Sequence, residues 1–182
     1  MGLAGFFIIF MGGAVGVMAA AMHVPHTGKT LDAWSPGPTD TSLANRAEIM
    51  AAYMLNAHRA AVHYAHDNPG FTGVVPKAFI TRAAMPGKGI SEFAIESIEV
   101  ESRVDVDPGN PGRGRVWTYP TALPPEFTSE MIVGGMKRES EGSQGIGVAT
   151  GGVIVTHAGN VTVPATIPAG SAVKTTAFVR NG

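Results

Sequence analysis

The sequence predicts an α+β protein, in which an N-terminal transmembrane helix is followed by a long helix packed on a small antiparallel sheet. Three observations predict it. The first 24 residues hold no Asp, Glu, Lys or Arg. Apolar residues then recur at three- and four-residue steps from Leu43 to Ala65, the period of a one-faced helix. From Phe93 onward the pattern changes to alternation broken by Gly- and Pro-rich turns, the mark of half-buried strands.

Leu3 to Met22 reads LAGFFIIFMGGAVGVMAAAM. As a helix it would be about 30 Å long, which matches the hydrocarbon core of a bilayer. In water it would have no polar face to present. Residues 1–24 are therefore expected to be a membrane anchor or signal segment, with residues 3–22 in the lipid bilayer. Ala19-Ala20-Ala21 offers a small-residue cleavage site. The start nevertheless lacks the Lys and Arg of a signal peptide, and its apolar run is too long for one. A single-pass anchor in a bacterial inner membrane is the expectation, with the C-terminal domain in the periplasm. Cleavage, leaving a free periplasmic protein, is the alternative. Gly12, Gly16 and Ala20 lie four residues apart, a small-residue face suited to helix packing and self-association.

Residues 25–40 form a Pro/Gly-rich linker around Trp34, which would sit at the membrane interface or cap the core. X-Pro pairs there block helix continuation. Residues 41–182 are expected to be a single α+β extracytoplasmic domain. Thr41 or Ser42 is a suitable N-cap for the long helix. Its stripe is Leu43, Ala47, Met50, Met54, Ala57, Ala61, Tyr64 and Ala65, and Asn68-Pro69-Gly70 stops it. A stripe of Ala and Met lets its neighbour come close. Residues 70–89 read as loop, with Phe71, Val74, Val75, Phe79 and Ile80 tucked under the sheet.

Residues 95–119 read as a hairpin with a long loop at 107–112. Pro124-Pro125 opens a short helix from Glu126 to Lys137, whose basic end suits the helix dipole. Strands are expected at 145–149, 152–156, 161–163 and 172–179. Helices and strands segregate along the chain, which favours an antiparallel sheet.

The chemistry is sparse. Charged residues are 15% of the chain and the net charge is -1, so no nucleic-acid partner is expected. The absence of cysteine excludes disulfides, thiolate nucleophiles and Cys-based metal sites. His58, His63 and His66 share the long helix, but no HExxH accompanies them, and they read as solvated helix-face side chains. Ser140, His157 and Asp107 compose a triad only on paper. No P-loop or dinucleotide fingerprint is present. Trp117 and Tyr119 read as core or cross-strand packing. No enzyme, cofactor or metal site is expected.

Four segments point further: the apolar start, the helix ending AAVHYAHDNPGFTGVVP (60–76), the strand RVWTYP (115–120), and the Gly-rich tail VATGGVIVTHAGNVTVPATIPAGSAV (148–173). In this order they resemble the PilM family of type IV pilus biogenesis proteins, found with thin-pilus and conjugation-type systems. The resemblance implies an accessory role at the inner membrane, in contact with other pilus-assembly proteins and without catalytic residues. A pilin-like or similar two-layer arrangement goes with it. The alternatives are an exported periplasmic binding module and a minor-pilin-like subunit. MGLAGFFIIF lacks the Glu that pilins usually carry five residues past their cleavage Gly.

Overall fold

A computed structural model describes residues 40–84, 98–107, 110–140, 144–156 and 159–180. The expected anchor, most of the linker, Trp34 and the Gly12, Gly16 and Ala20 face fall outside the described residues. Among the described residues no helix is long and apolar enough to cross a membrane.

Helix α1 runs Asp40–Asp67, so Thr41 and Ser42, expected as caps, already lie inside it. Its stripe is where the spacing predicts it. Ala47, Met50, Met54, Ala57, Ala61 and Ala65 are buried. The main-chain and side-chain amides of Asn68 both donate to the Tyr64 carbonyl, at 3.0 and 2.8 Å. Pro69, with no N–H, cannot extend the helix.

The stretch read as loop contains two elements. Strand β1 is Gly73–Val74 and helix α2 is Lys77–Ala84. Neither is long enough to establish a period, and α2 begins directly after Pro76, whose carbonyl accepts from Phe79 and Ile80. Val75 and Ile80 join Val104 and Val116 beneath α1. Phe71 and Phe79 instead pack edge-on against the Tyr64 ring, with centroids 5.1 and 5.0 Å away.

Strands β2 (Glu99–Asp107) and β3 (Asn110–Ala122) form the predicted hairpin. The long loop does not exist, because pairing continues to Asp107 opposite Asn110. Helix α3 spans Ser129–Glu139, later than the Glu126–Lys137 expectation. Its N-cap is Thr128, whose hydroxyl accepts from the Met131 amide at 3.3 Å. Strands β4 (Ile146–Thr150), β5 (Val153–Thr156), β6 (Gly159–Thr162) and β7 (Ala172–Val179) complete the chain.

The seven strands run in the order β1-β2-β3-β7-β4-β5-β6, and every neighbouring pair is antiparallel. The C-terminal strand β7 is thus inserted between β3 and β4. Alternation along the strands sends Val104, Val116 and Ala172 towards the helices. Trp117, Tyr119 and Val173 point to the opposite face, where they meet Ile154, Val163 and Ile167. Strand β4 makes this possible: Ile146–Val148 pair with β7, while Ala149 and Thr150 pair with β5. The apolar interior is therefore on both sides of the central strands. Each fully buried Met, Ile or Val in it contributes roughly 1.5–3 kcal/mol.

Candidate functional site

Where β2 passes α2, a groove of 330 Å³ opens to solvent. Its apolar lining comes from Val74, Val75, Ile80 and Val100, and its polar lining from Lys77, Glu99, Glu101, Ser102 and Thr121. Strand β1 covers only Arg103 and Val104 of the outer edge of β2, and the Val75 amide adds one bond to the Ser102 carbonyl at 2.8 Å. Among the described residues no strand pairs with that edge from Glu99 to Glu101. Successive residues of a strand turn their main-chain groups to opposite sides. Since Ser102 presents its carbonyl outwards, Val100 presents both its N–H and its C=O to the groove.

Among the described residues the rim is polar and more acidic than basic. Lys77 Nζ donates to Glu99 Oε1 at 3.1 Å, and the Thr121 hydroxyl lies 3.3 Å from Glu99 Oε2. The Lys77 ammonium, with help from Thr121, holds the Glu99 carboxyl below the usual carboxylate range. Glu101 accepts a hydrogen bond from the Tyr119 hydroxyl. Burial, reinforced by Glu101, pushes Tyr119 up to about 12.

On the same sheet face as Tyr119, two arginines are committed to structure. Arg103 grips Asp105 through Nε and Nη2, each at 3.0 Å, and reaches Thr166 at 2.6 Å. Arg115 pairs with Asp107 at 3.0 Å and lies over the Trp117 ring at 5.6 Å. The forked, half-buried Arg103–Asp105 pair is stronger than an ordinary surface ion pair. Arg103 also ties the turn before β7 to β2.

A second polar group lies beneath α1. His58 is buried, with Nδ1 3.0 Å from the Thr118 hydroxyl and Nε2 2.8 Å from the Thr176 hydroxyl. Ser102 Oγ lies 2.8 Å from the same Thr118 oxygen. Burial, and then the charge of Lys174, pushes His58 down to about 3. Lys174 donates to the Gln144 carbonyl at 2.6 Å, and burial lowers its pKa. A neutral imidazole between two hydroxyls satisfies both ring nitrogens. The His58 ring and the hydroxyls of Ser102, Thr118 and Thr176 thus form one connected set of hydrogen bonds.

A sequence profile of the PilM family matches residues 27–175. The chain belongs to the PilM family. A solved structure of a PilM protein from Escherichia coli B7A is similar at 14% identity, covering 78% of this chain and 99% of that one, with a TM-score of 0.42. No curated protein matches the chain.

The candidate residues of this PilM-family chain do not converge. His63 and His66 are exposed on α1, as read from their spacing. His58 is the correction: the same helix turns it inward, because its ring finds hydroxyl partners on β3 and β7 that lie far away in sequence. Ser140 Oγ donates to the Met136 carbonyl at the end of α3, and Asp107 is held by Arg115; His157 lies outside the described residues. Among the described residues no group of His, Asp and Glu is arranged to hold a metal. Sequence reasoning missed the groove, since one wall is α2. The alternation of Glu99, Val100 and Glu101 was the one signal of it.

Proposed function

We propose that the chain is a non-enzymatic, membrane-anchored accessory protein of type IV pilus biogenesis, acting through contacts with other pilus-assembly proteins. The observation that carries this reading is the PilM match across residues 27–175. The apolar stretch from Leu3 to Met22 supports the anchor, because its length suits one bilayer crossing. The groove beside β2 supplies a surface for such contacts.

The test is deletion and complementation in the native host. Loss of the gene is expected to abolish assembled pili, and the full chain carried in trans to restore them. The restoring protein, tagged at its C-terminus, should fractionate with the inner membrane at full length and be cut by protease added to spheroplasts. Normal piliation in the deletion strain would refute the pilus role. A shortened, soluble periplasmic product would refute the anchor and leave the exported binding module in its place.

A further inference from the structure

We infer that the outer edge of β2 at Glu99–Glu101 is a strand-addition site for an extended segment of a partner protein with a basic–apolar–basic pattern. This deepens the protein-contact reading above by naming its surface, and it can fail independently of the pilus role.

The main chain supplies the first argument. By alternation from Ser102, whose carbonyl accepts from the Val75 amide, Val100 turns its N–H and C=O towards the groove. Among the described residues the segment of β1 bonds no further along this edge than Ser102. A visiting strand opposite Val100 would take both groups, the hydrogen bonding by which exposed sheet edges capture peptides. Cross-strand neighbours project to the same face. The visitor's residue opposite Val100 would therefore enter the apolar part of the groove, against Val75 and Ile80. That position calls for a valine-sized apolar side chain.

Charge selects the flanking residues. Positions on either side of the central one come beside Glu99 and Glu101 and meet their carboxylates at the rim; the pairing with β3 shifts register between Glu99 and Val100. Glu99 is held below the usual carboxylate range by Lys77, and Glu101 keeps acceptor positions beyond the one used by Tyr119. Among the described residues the rim sets two carboxylates against the ammonium of Lys77, and opposite-charge cross-strand pairs favour Lys or Arg at both positions. A small rigid ligand would fit the volume but would leave the directional pair on Val100 unused.

The experiment uses the full chain in detergent micelles and three capped heptapeptides. One alternates lysine and valine, one alternates glutamate and valine, and the third is the first with its central valine N-methylated. The lysine peptide is expected to bind and to slow amide exchange at Val100. The glutamate peptide should bind about tenfold more weakly, from inverted charge pairing. The N-methylated peptide should bind about fivefold more weakly, from the lost main-chain bond. Glu99→Lys should narrow the gap between the first two peptides. Equal binding of the N-methylated peptide would overturn strand addition. A Val100 amide already protected in the free chain would overturn it too, because the edge would then be taken.

Discussion

His58 Nδ1 lies 3.0 Å from the hydroxyl of Thr118, so that the middle of α1 is bonded to the middle of β3 across an otherwise apolar interface. The contact falls where one apolar cluster, from Ala47 to Leu55 on α1, gives way to the next, from Ala57 to Ala65. Thr176 on β7 completes the set at 2.8 Å. One side chain thereby fixes how the helix is seated along and across two neighbouring strands. An apolar residue there would leave the hydroxyls without that partner.

The buried ring makes stability depend on pH. Its folded pKa, about 3, lies below the ordinary value of 6.5. Between those values the unfolded chain binds a proton that the folded chain does not, so stability falls as pH falls from 6.5 towards 3. The slope is at most about 1.4 kcal/mol per pH unit. His58→Gln should cost about 1–3 kcal/mol at pH 7 through broken hydrogen bonds. It should also remove this slope, so the gap from wild type narrows by roughly 2 kcal/mol at pH 5. Urea denaturation of both proteins at the two pH values is the measurement; a constant gap would mean that His58 titrates normally.

Two adjacent glycines of α3 should respond oppositely to alanine. A Cβ on Gly135 would stand 2.8 Å from Ala51 Cβ and 3.4 Å from the Ala47 carbonyl oxygen, where α3 lies on α1. A Cβ on Gly134 would meet nothing nearer than Arg138 Nη1 at 3.5 Å. Alanine gains up to about 1 kcal/mol over glycine inside a helix. Gly134→Ala should keep most of that gain. In Gly135→Ala the overlap, typically 1–3 kcal/mol, should outweigh it. Thermal melts suffice, and a rise in Tm for Gly135→Ala would show that the two helices separate freely.

A second glycine pair separates backbone strain from steric collision. Gly145 and Gly151 both have positive φ, +83° and +59°. A Cβ on Gly145 would collide with the Thr175 carbonyl oxygen, whereas Gly151 faces open space. Gly145 also accepts from the Thr175 amide at 2.7 Å, which locks the two backbones together. Gly151→Ala should cost only the left-handed penalty of about 1–2 kcal/mol. Gly145→Ala should cost about 3 kcal/mol or more, since strain and collision add. Similar melting temperatures for the two variants would refute the close approach of residue 145 to β7.

What was legible in the sequence was what local spacing controls. The α1 stripe, the β2–β3 hairpin and the burial of Trp117 follow from periods of 3.6 and 2, which act within a dozen residues. The short β1 and α2 were not legible, because two and eight residues carry too little pattern. His58 was misread for a different reason. Spacing along a helix gives its angle, but only the strands beneath decide whether that angle meets water, and its partners come from Thr118 and Thr176. The groove inherits both difficulties, being built from α2 and from an edge whose neighbour ends early. Nothing local announced that β7 would part β3 from β4 either.

That insertion sets the last expectation. Strand β7 pairs with β3 from Thr118 to Arg113 and with β4 from Ile146 to Val148. It buries Ala172 on the helix side and Val173 on the other. A chain stopped after Ser171 would lose Thr176 from the His58 set and expose the edges of β3 and β4 to aggregation. It should show no cooperative thermal transition. A chain stopped after Val179 loses much less: the Arg180 amide to Gly112 at 3.1 Å and the Arg180 side chain to Pro69 at 3.2 Å. Those exposed contacts should cost about 1 kcal/mol, with cooperativity kept. Calorimetry and limited proteolysis separate the two. A cooperative transition in the Ser171 truncation would mean that β3 and β4 can close on each other, and that the central strand is dispensable to the core.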